Sequence, residues 1–118
     1  MVPKIPVTAL AAAAAILVAA PARADEVTSL LEQATYYMQL STSSLDLATR
    51  VSARKEKCQW ARQSRGELAK ALEYYDAAER RAATNPSWSA ADREKLSQIG
   101  QKGRDLVPRA EAFIREVC

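Results

Sequence analysis

The sequence predicts an all-α fold: a three-helix up-down bundle that follows a cleaved signal peptide and is stapled by one disulfide. Three observations predict it. Beyond Asp25 the chain is dominated by Ala, Leu, Glu, Gln, Lys and Arg, all good helix formers, and lacks the alternating Val, Ile and Thr runs of strands. Apolar residues recur there at alternating spacings of three and four, the signature of one buried helical face. The cysteines, Cys58 and Cys118, stand at similar distances on either side of an Asn-Pro turn. A length of 118 residues with 48% hydrophobic content suits one globular domain.

Residues 1–24 read as a secretory signal peptide. Lys4 supplies the positive start, Val7 to Ala20 is an uncharged run that is apolar except for Thr8, and Pro21 ends it before the cleavage site Ala22-Arg23-Ala24. Cleavage after Ala24 leaves residues 25–118 as one helical bundle domain with Asp25 at its start. The run is too short to span about 30 Å of hydrocarbon, so the mature chain carries no transmembrane anchor. No Cys sits at the cleavage site and no Arg pair precedes the run, which argues against a lipid anchor there and a twin-arginine route. The alanine-rich style is bacterial, so the expected destination is the periplasm. Removing Lys4 and Arg23 lowers Lys+Arg from 17 to 15 against 14 Asp+Glu, a net charge of +1 instead of +3. That balance gives no reason to expect a nucleic-acid partner.

The first helix is expected from Glu26, with Asp25 as its cap. Val27, Leu31, Ala34, Met38, Ser41, Leu45 and Ala48 form its seam. The second carries Cys58, Ala61, Leu68, Ala71, Leu72, Tyr75, Ala78 and Ala82 on a seam offset from the first, so a break separates them. Two places qualify: the polar cluster Ser41 to Ser44, or the charged stretch Val51 to Lys57 with Ser52 as a cap. The first seam runs on through Ser41 to Ala48, which favours the later break. Thr84-Asn85-Pro86-Ser87 is a turn, and Ser89 with Asp92 three residues on forms a capping box for the third helix. That helix shows a heptad seam of Leu96, Ile99, Gly103, Leu106, Ala110, Phe113 and Val117, with a kink or short break expected between Gly100 and Pro108.

Export to an oxidising compartment makes a Cys58–Cys118 bond the default, a covalent dimer through Cys118 or free thiols being the alternatives. Cys58 lies 28 residues before Pro86 and Cys118 lies 32 after it. Helical arms of that length, about 45 Å each, bring both to the same end of the bundle.

The absence of His excludes histidine bases and the usual zinc and haem sites. No Cys-x-x-Cys, Gly-rich phosphate loop, metal-ligand cluster or nucleophile beside a base occurs, so neither an enzyme nor a cofactor is expected. Asp76–Arg80, Asp105–Arg109 and Glu111–Arg115 have the spacing of surface ion pairs. Two features remain for binding. One is the basic stretch Arg50, Arg54, Lys55, Lys57, Arg62 and Arg65, with Trp60 inside it and Glu56 against it; such a stretch suits an anionic envelope surface or an acidic protein. The other is aromatic. Tyr37 and Tyr75 match core positions, while Tyr36, Tyr74 and Trp88 are expected to be partly exposed, as at binding surfaces. The sequence therefore implies a non-catalytic periplasmic helical protein that binds another macromolecule, as an adaptor, inhibitor or envelope-associated subunit. The alternative is a bundle that binds a small ligand or lipid, its third helix opening at the Gly100–Pro108 break.

Overall fold

The computed structural model describes residues 26–118. The signal peptide, its cleavage after Ala24 and the Asp25 cap lie outside the described residues. Four helices follow one another: α1 (Glu26–Arg50), α2 (Arg54–Ala83), α3 (Ala90–Asp105) and α4 (Val107–Val117). α3 and α4 run end to end and make one arm, so the architecture is a three-helix bundle about 50 × 20 × 19 Å in extent. α2 is its spine: α1 packs along one side of it, α3 and α4 along the other.

All seven seam positions expected in α1 are buried. The break after α1 falls at residues 51–53, the later of the two expected places and narrower than expected. Ser52 does not cap α2; the cap position is Ala53, whose side chain makes no capping bond. The turn after α2 is closed by Asn85, whose Oδ1 accepts from the Ser87 N–H at 3.0 Å and the Ser87 hydroxyl at 2.6 Å. Ser89 caps α3 by accepting from the Asp92 N–H at 3.1 Å. The third arm is interrupted at Leu106, inside the expected window. Pro108 stands in the first turn of α4, where its missing N–H has no helical acceptor to lose. Leu106 itself keeps α-region angles, φ −77° and ψ −20°, so the arm continues in the same direction.

Between Leu31, Met38, Leu45, Leu68 and Tyr75 the seam of α1 and α2 carries many small side chains: Ala34, Ser41, Ser44 and Ala48 against Ala61, Ser64, Ala71, Ala78 and Ala82, all buried. Small residues let the backbones approach until a hydroxyl on one helix reaches a main-chain carbonyl on the other. Ser41 Oγ donates to the Ser64 carbonyl at 2.8 Å, and Ser64 Oγ donates to the Ser41 carbonyl at 2.7 Å. Each hydroxyl has one proton and both are used, so the 3.1 Å approach of the two oxygens is a contact and adds no third bond. Ser44 donates to Glu67 one turn further on. This polar layer divides the apolar interior in two. The larger cluster holds Leu31, Met38, Leu68, Tyr75, Trp88, Leu96 and Ile99; the smaller holds Leu45, Ala48, Ala61 and Phe113, with Trp60, Ile114 and Val117 packed on it. Each fully buried Leu is worth about 1.5–3 kcal/mol.

On the other side of α2 the fit is set by glycine and charge. A Cβ on Gly103 would stand 2.9 Å from Leu72 Cδ2 and 3.6 Å from Met38 Cε, where all three arms meet. Arg104 bridges from α3 to Asp76 at 3.1 Å and Glu79 at 3.3 Å, and Arg65 reaches Glu111 on α4 at 3.3 Å. These pairs replace the expected Asp76–Arg80 and Glu111–Arg115 pairs, because the carboxylates face a neighbouring helix that supplies a closer cation. Asp105 accepts from Gln101 at 2.8 Å, in place of the expected pair with Arg109. The Cys58–Cys118 disulfide closes the far end of this arm, with Cα atoms 5.0 Å apart. The bundle, its single staple and its intramolecular pairing match the expectation.

Candidate interaction surface

The contacts of α2 divide its circumference. Arg65, Leu72, Asp76 and Glu79 face α3 and α4. Glu67 and Tyr74 face α1, at the rim away from α3 and α4. The α1–α2 hairpin thus has one flank covered by the third arm and one left open.

The open flank carries the aromatic residues. Tyr37 and Tyr74 stack across the two helices, ring centroids 5.7 Å apart and planes 13° from parallel. Tyr36 meets Tyr37 edge-on at 5.3 Å, and Lys70 Nζ lies 6.0 Å from the Tyr74 centroid. Stacked and edge-to-face pairs each add about 0.5–1.5 kcal/mol to the burial of the rings. Tyr36 is 54% exposed, and Leu47 is the other large hydrophobic side chain exposed among the described residues, at 39%.

The middle of the exposed surface of α1 also lacks charge. Its charged residues are Glu26, Glu32, Asp46 and Arg50, and residues 33–45 contain none. Exposed positions on that stretch are Gln33, Tyr36, Gln39 and Ser43, with Tyr37 and Leu40 half-buried beside them. Depletion of charge with enrichment of Tyr is the composition of the centre of a protein–protein interface. Leu40, Leu47 and Lys70 were not anticipated from the sequence; the charge-free run from 33 to 45 marks Leu40, while Leu47 and Lys70 join the flank only through the packing of α1 on α2.

Of the expected aromatics, Tyr36 and Tyr74 lie together on this flank. Trp60 is half-buried against the smaller apolar cluster. Trp88 is not a surface residue. It is 1% exposed and belongs to the main core, correcting the expectation of partial exposure. It occupies the position just before the Ser89 cap, where an apolar side chain folds back over the helix start. Its carbonyl accepts from Arg93 at 2.8 Å, which holds the turn closed over the indole.

The basic stretch gathers at the stapled end, and much of it is engaged by the fold. Lys57 Nζ donates to the Ala48 carbonyl in the last turn of α1 at 3.2 Å, and Arg54 Nε donates to the Val117 carbonyl at the end of α4 at 3.3 Å. Helix C-termini leave carbonyls without helical partners and carry partial negative charge, so cations from the start of α2 neutralise two of them. Arg50 pairs with Asp46 at 3.0 Å and Arg65 with Glu111. Lys55 and Arg62 remain exposed at this end. The basic stretch and the aromatic flank are therefore separate: one sits at an end of the rod, the other along its side.

Burial pushes the Tyr75 phenol above its ordinary pKa of 10.0, and the neighbouring Thr35 hydroxyl acts the other way. The two hydroxyls are close enough to interact, although Thr35 Oγ1 makes no hydrogen bond of good geometry. Among the described residues no group of three or more His, Cys, Asp or Glu is placed to hold a metal, and no helix is long and apolar enough to cross a membrane. Comparison of the chain with family models, curated proteins and solved structures finds no match.

Proposed function

We propose that this protein is a non-catalytic, exported helical bundle of the bacterial periplasm, and that it acts by binding another macromolecule through the open flank of α1. One observation carries the reading. An exposed Tyr36 stands in a charge-free stretch of α1, edge-on to half-buried Tyr37, with half-buried Leu40 and Tyr74 and exposed Leu47 on the same side of the hairpin, which no other helix covers. Exposed aromatics lose little entropy on docking, which is why Tyr is favoured at binding hot spots. The location rests on the n-region, apolar run and A-x-A site of residues 1–24 and on the cysteine pair. Lys55 and Arg62 at the stapled end offer a smaller contact for an anionic envelope surface.

A photo-reactive phenylalanine replacing Tyr36 tests the reading in living cells, with the same probe at exposed Gln98 on α3 as the control. A discrete protein adduct at position 36 and none at 98 is the expected result. Adducts to lipid alone would favour the lipid-binding bundle, and equal labelling at both positions would reject this flank as a docking surface. Amino-terminal sequencing of the exported protein checks the location, with Asp25 as the expected first residue.

A further inference from the structure

The outer stripe of α1 has an order that a general docking surface does not need. The positions are Glu26, Ser29, Gln33, Tyr36, Leu40, Ser43, Leu47 and Arg50. All are exposed except Leu40, which is half-buried. Their spacing alternates strictly between three and four, which keeps them on one face of the helix, with Tyr36, Leu40 and Leu47 as its apolar members. This stripe is a second seam on α1, distinct from the seam that faces α2.

The stripe is also self-complementary when reversed. Let a second α1 lie antiparallel to the first, with the two-fold axis at the level of Met38. Glu26 then faces Arg50 of the other copy, Ser29 faces Leu47, Gln33 faces Ser43 and Tyr36 faces Leu40. Each pairing occurs twice. Opposite charges meet at both ends, polar meets polar at Gln33–Ser43, and the aromatic and aliphatic residues meet at the centre. No like charges oppose one another. In parallel register Glu26 would meet Glu26 and Arg50 would meet Arg50. The antiparallel arrangement also opposes the helix dipoles. It brings the acidic start of one α1, at Glu26, to the basic end of the other, at Arg50. A two-fold interface requires this kind of self-complementarity: one patch that fits its own copy.

We infer that the open flank of α1 binds a second copy of this chain, giving an antiparallel two-fold dimer whose centre is Tyr36 against Leu40. The inference rests on the reading of this flank as a docking surface and names its occupant. The half-buried Tyr37, Tyr74 and Leu30 at the edges of the stripe widen the contact beyond a single seam. The pairs that Glu26 makes with Arg81 and Arg50 with Asp46 do not prevent it. Their side chains are 48–74% exposed, so they exchange partners at little cost.

Protein purified from cells expressing the full chain is examined by sedimentation equilibrium up to submillimolar concentration. The expected result is a reversible monomer–dimer equilibrium. Tyr36→Glu, which sets carboxylates into the centre of the seam, is expected to raise the dissociation constant by roughly tenfold or more while leaving helicity unchanged. Should that variant fail to fold, Leu47→Lys serves in its place. Register is tested by charge reversal: Glu26→Arg or Arg50→Glu alone weakens the dimer, and the two together restore it. A protein that stays monomeric at the highest concentration overturns the proposal, as does a dimer that neither seam variant weakens. A dimer that the double reversal fails to restore overturns the antiparallel register. The cross-link at position 36 separates this failure from failure of the docking reading. An adduct at twice the chain mass supports the dimer. An adduct to a different polypeptide with a monomeric protein overturns the dimer and leaves the flank a docking surface. No adduct at position 36 overturns both.

Discussion

α1 and α2 lie side by side and are made of different materials. α1 has four charged residues in 25, Glu26, Glu32, Asp46 and Arg50. α2 has 13 in 30, the last three being Glu79, Arg80 and Arg81. The difference follows from what each helix must satisfy. α2 touches every other helix, and its charges meet carboxylates, guanidinium groups and orphan carbonyls on its neighbours. α1 packs onto α2 through a seam in which alanine and serine alternate with Leu31, Met38 and Leu45, and the middle of its outer surface, residues 33–45, is left uncharged. An exposed helix with no neighbour to satisfy would ordinarily be covered in charge for solubility. That α1 is not is the reason to regard its outer face as one that meets a partner.

The comparison predicts that the two sides of α2 respond differently to substitution. The largest effect belongs to the staple. Cys118→Ser opens a loop of sequence separation 60, which the chain-entropy model values at about 4 kcal/mol. The melting temperature is expected to fall by more than ten degrees, since each kcal/mol moves a domain of this size by about 4–8 °C. A fall of only a few degrees would mean that α4 is held chiefly by Phe113 and its neighbours.

Next comes the α1 side of α2. Ser64→Ala removes a buried hydroxyl and the second donor on the Ser41 carbonyl, which keeps its helical bond, and is expected to cost about 0.5–1.5 kcal/mol. Ser64→Val adds volume where the helices approach most closely and is expected to cost more. Arg104→Met on the α3 side is expected to cost no more than about 1 kcal/mol, because all three members of that ion cluster are at least a quarter exposed. Chemical denaturation in low and high salt separates the two: the Arg104 effect shrinks with salt and the Ser64 effect does not. Equal costs on both sides would remove the distinction.

Local pattern reached far into this fold and stopped at the places where distant residues meet. The α1 seam was legible because a straight helix with one close neighbour buries one face from end to end, from Val27 to Ala48. The Ser89 cap and the interruption at Leu106 were legible because caps and proline act within four residues. Trp88 was misjudged because its neighbours Asn85, Pro86 and Ser87 read as a solvated turn; its place directly before a helix cap was the clue. The ion pairs of Asp76 and Glu111 were misjudged because spacing of four identifies partners on the same helix only, and Arg104 lies 28 residues from Asp76. The aromatic part of the candidate surface was legible as Tyr36 and Tyr74. Its extent was not, because which flank of α1 stays open depends on where α3 and α4 pack.

The smallest effect concerns Tyr75, at the boundary between α1 and α2. Its phenol is buried in the main cluster beside Thr35, and burial raises its pKa above 10.0. The folded protein therefore keeps the phenolic proton to higher pH than the unfolded chain does. Stability that depends on a neutral phenol is full below pH 10 and declines as pH climbs through the folded value, since the unfolded state releases its proton first. Tyr75→Phe keeps the ring and removes the proton, so at pH 7 it is expected to change stability little. Above pH 10 the variant should lose stability less steeply than the parent protein. The two proteins differ at this one hydroxyl, so the difference between the two curves isolates Tyr75. Parallel curves from pH 9 to 11 would mean that the α1–α2 seam admits water at Tyr75, and the buried character of that seam would then end at the serine layer.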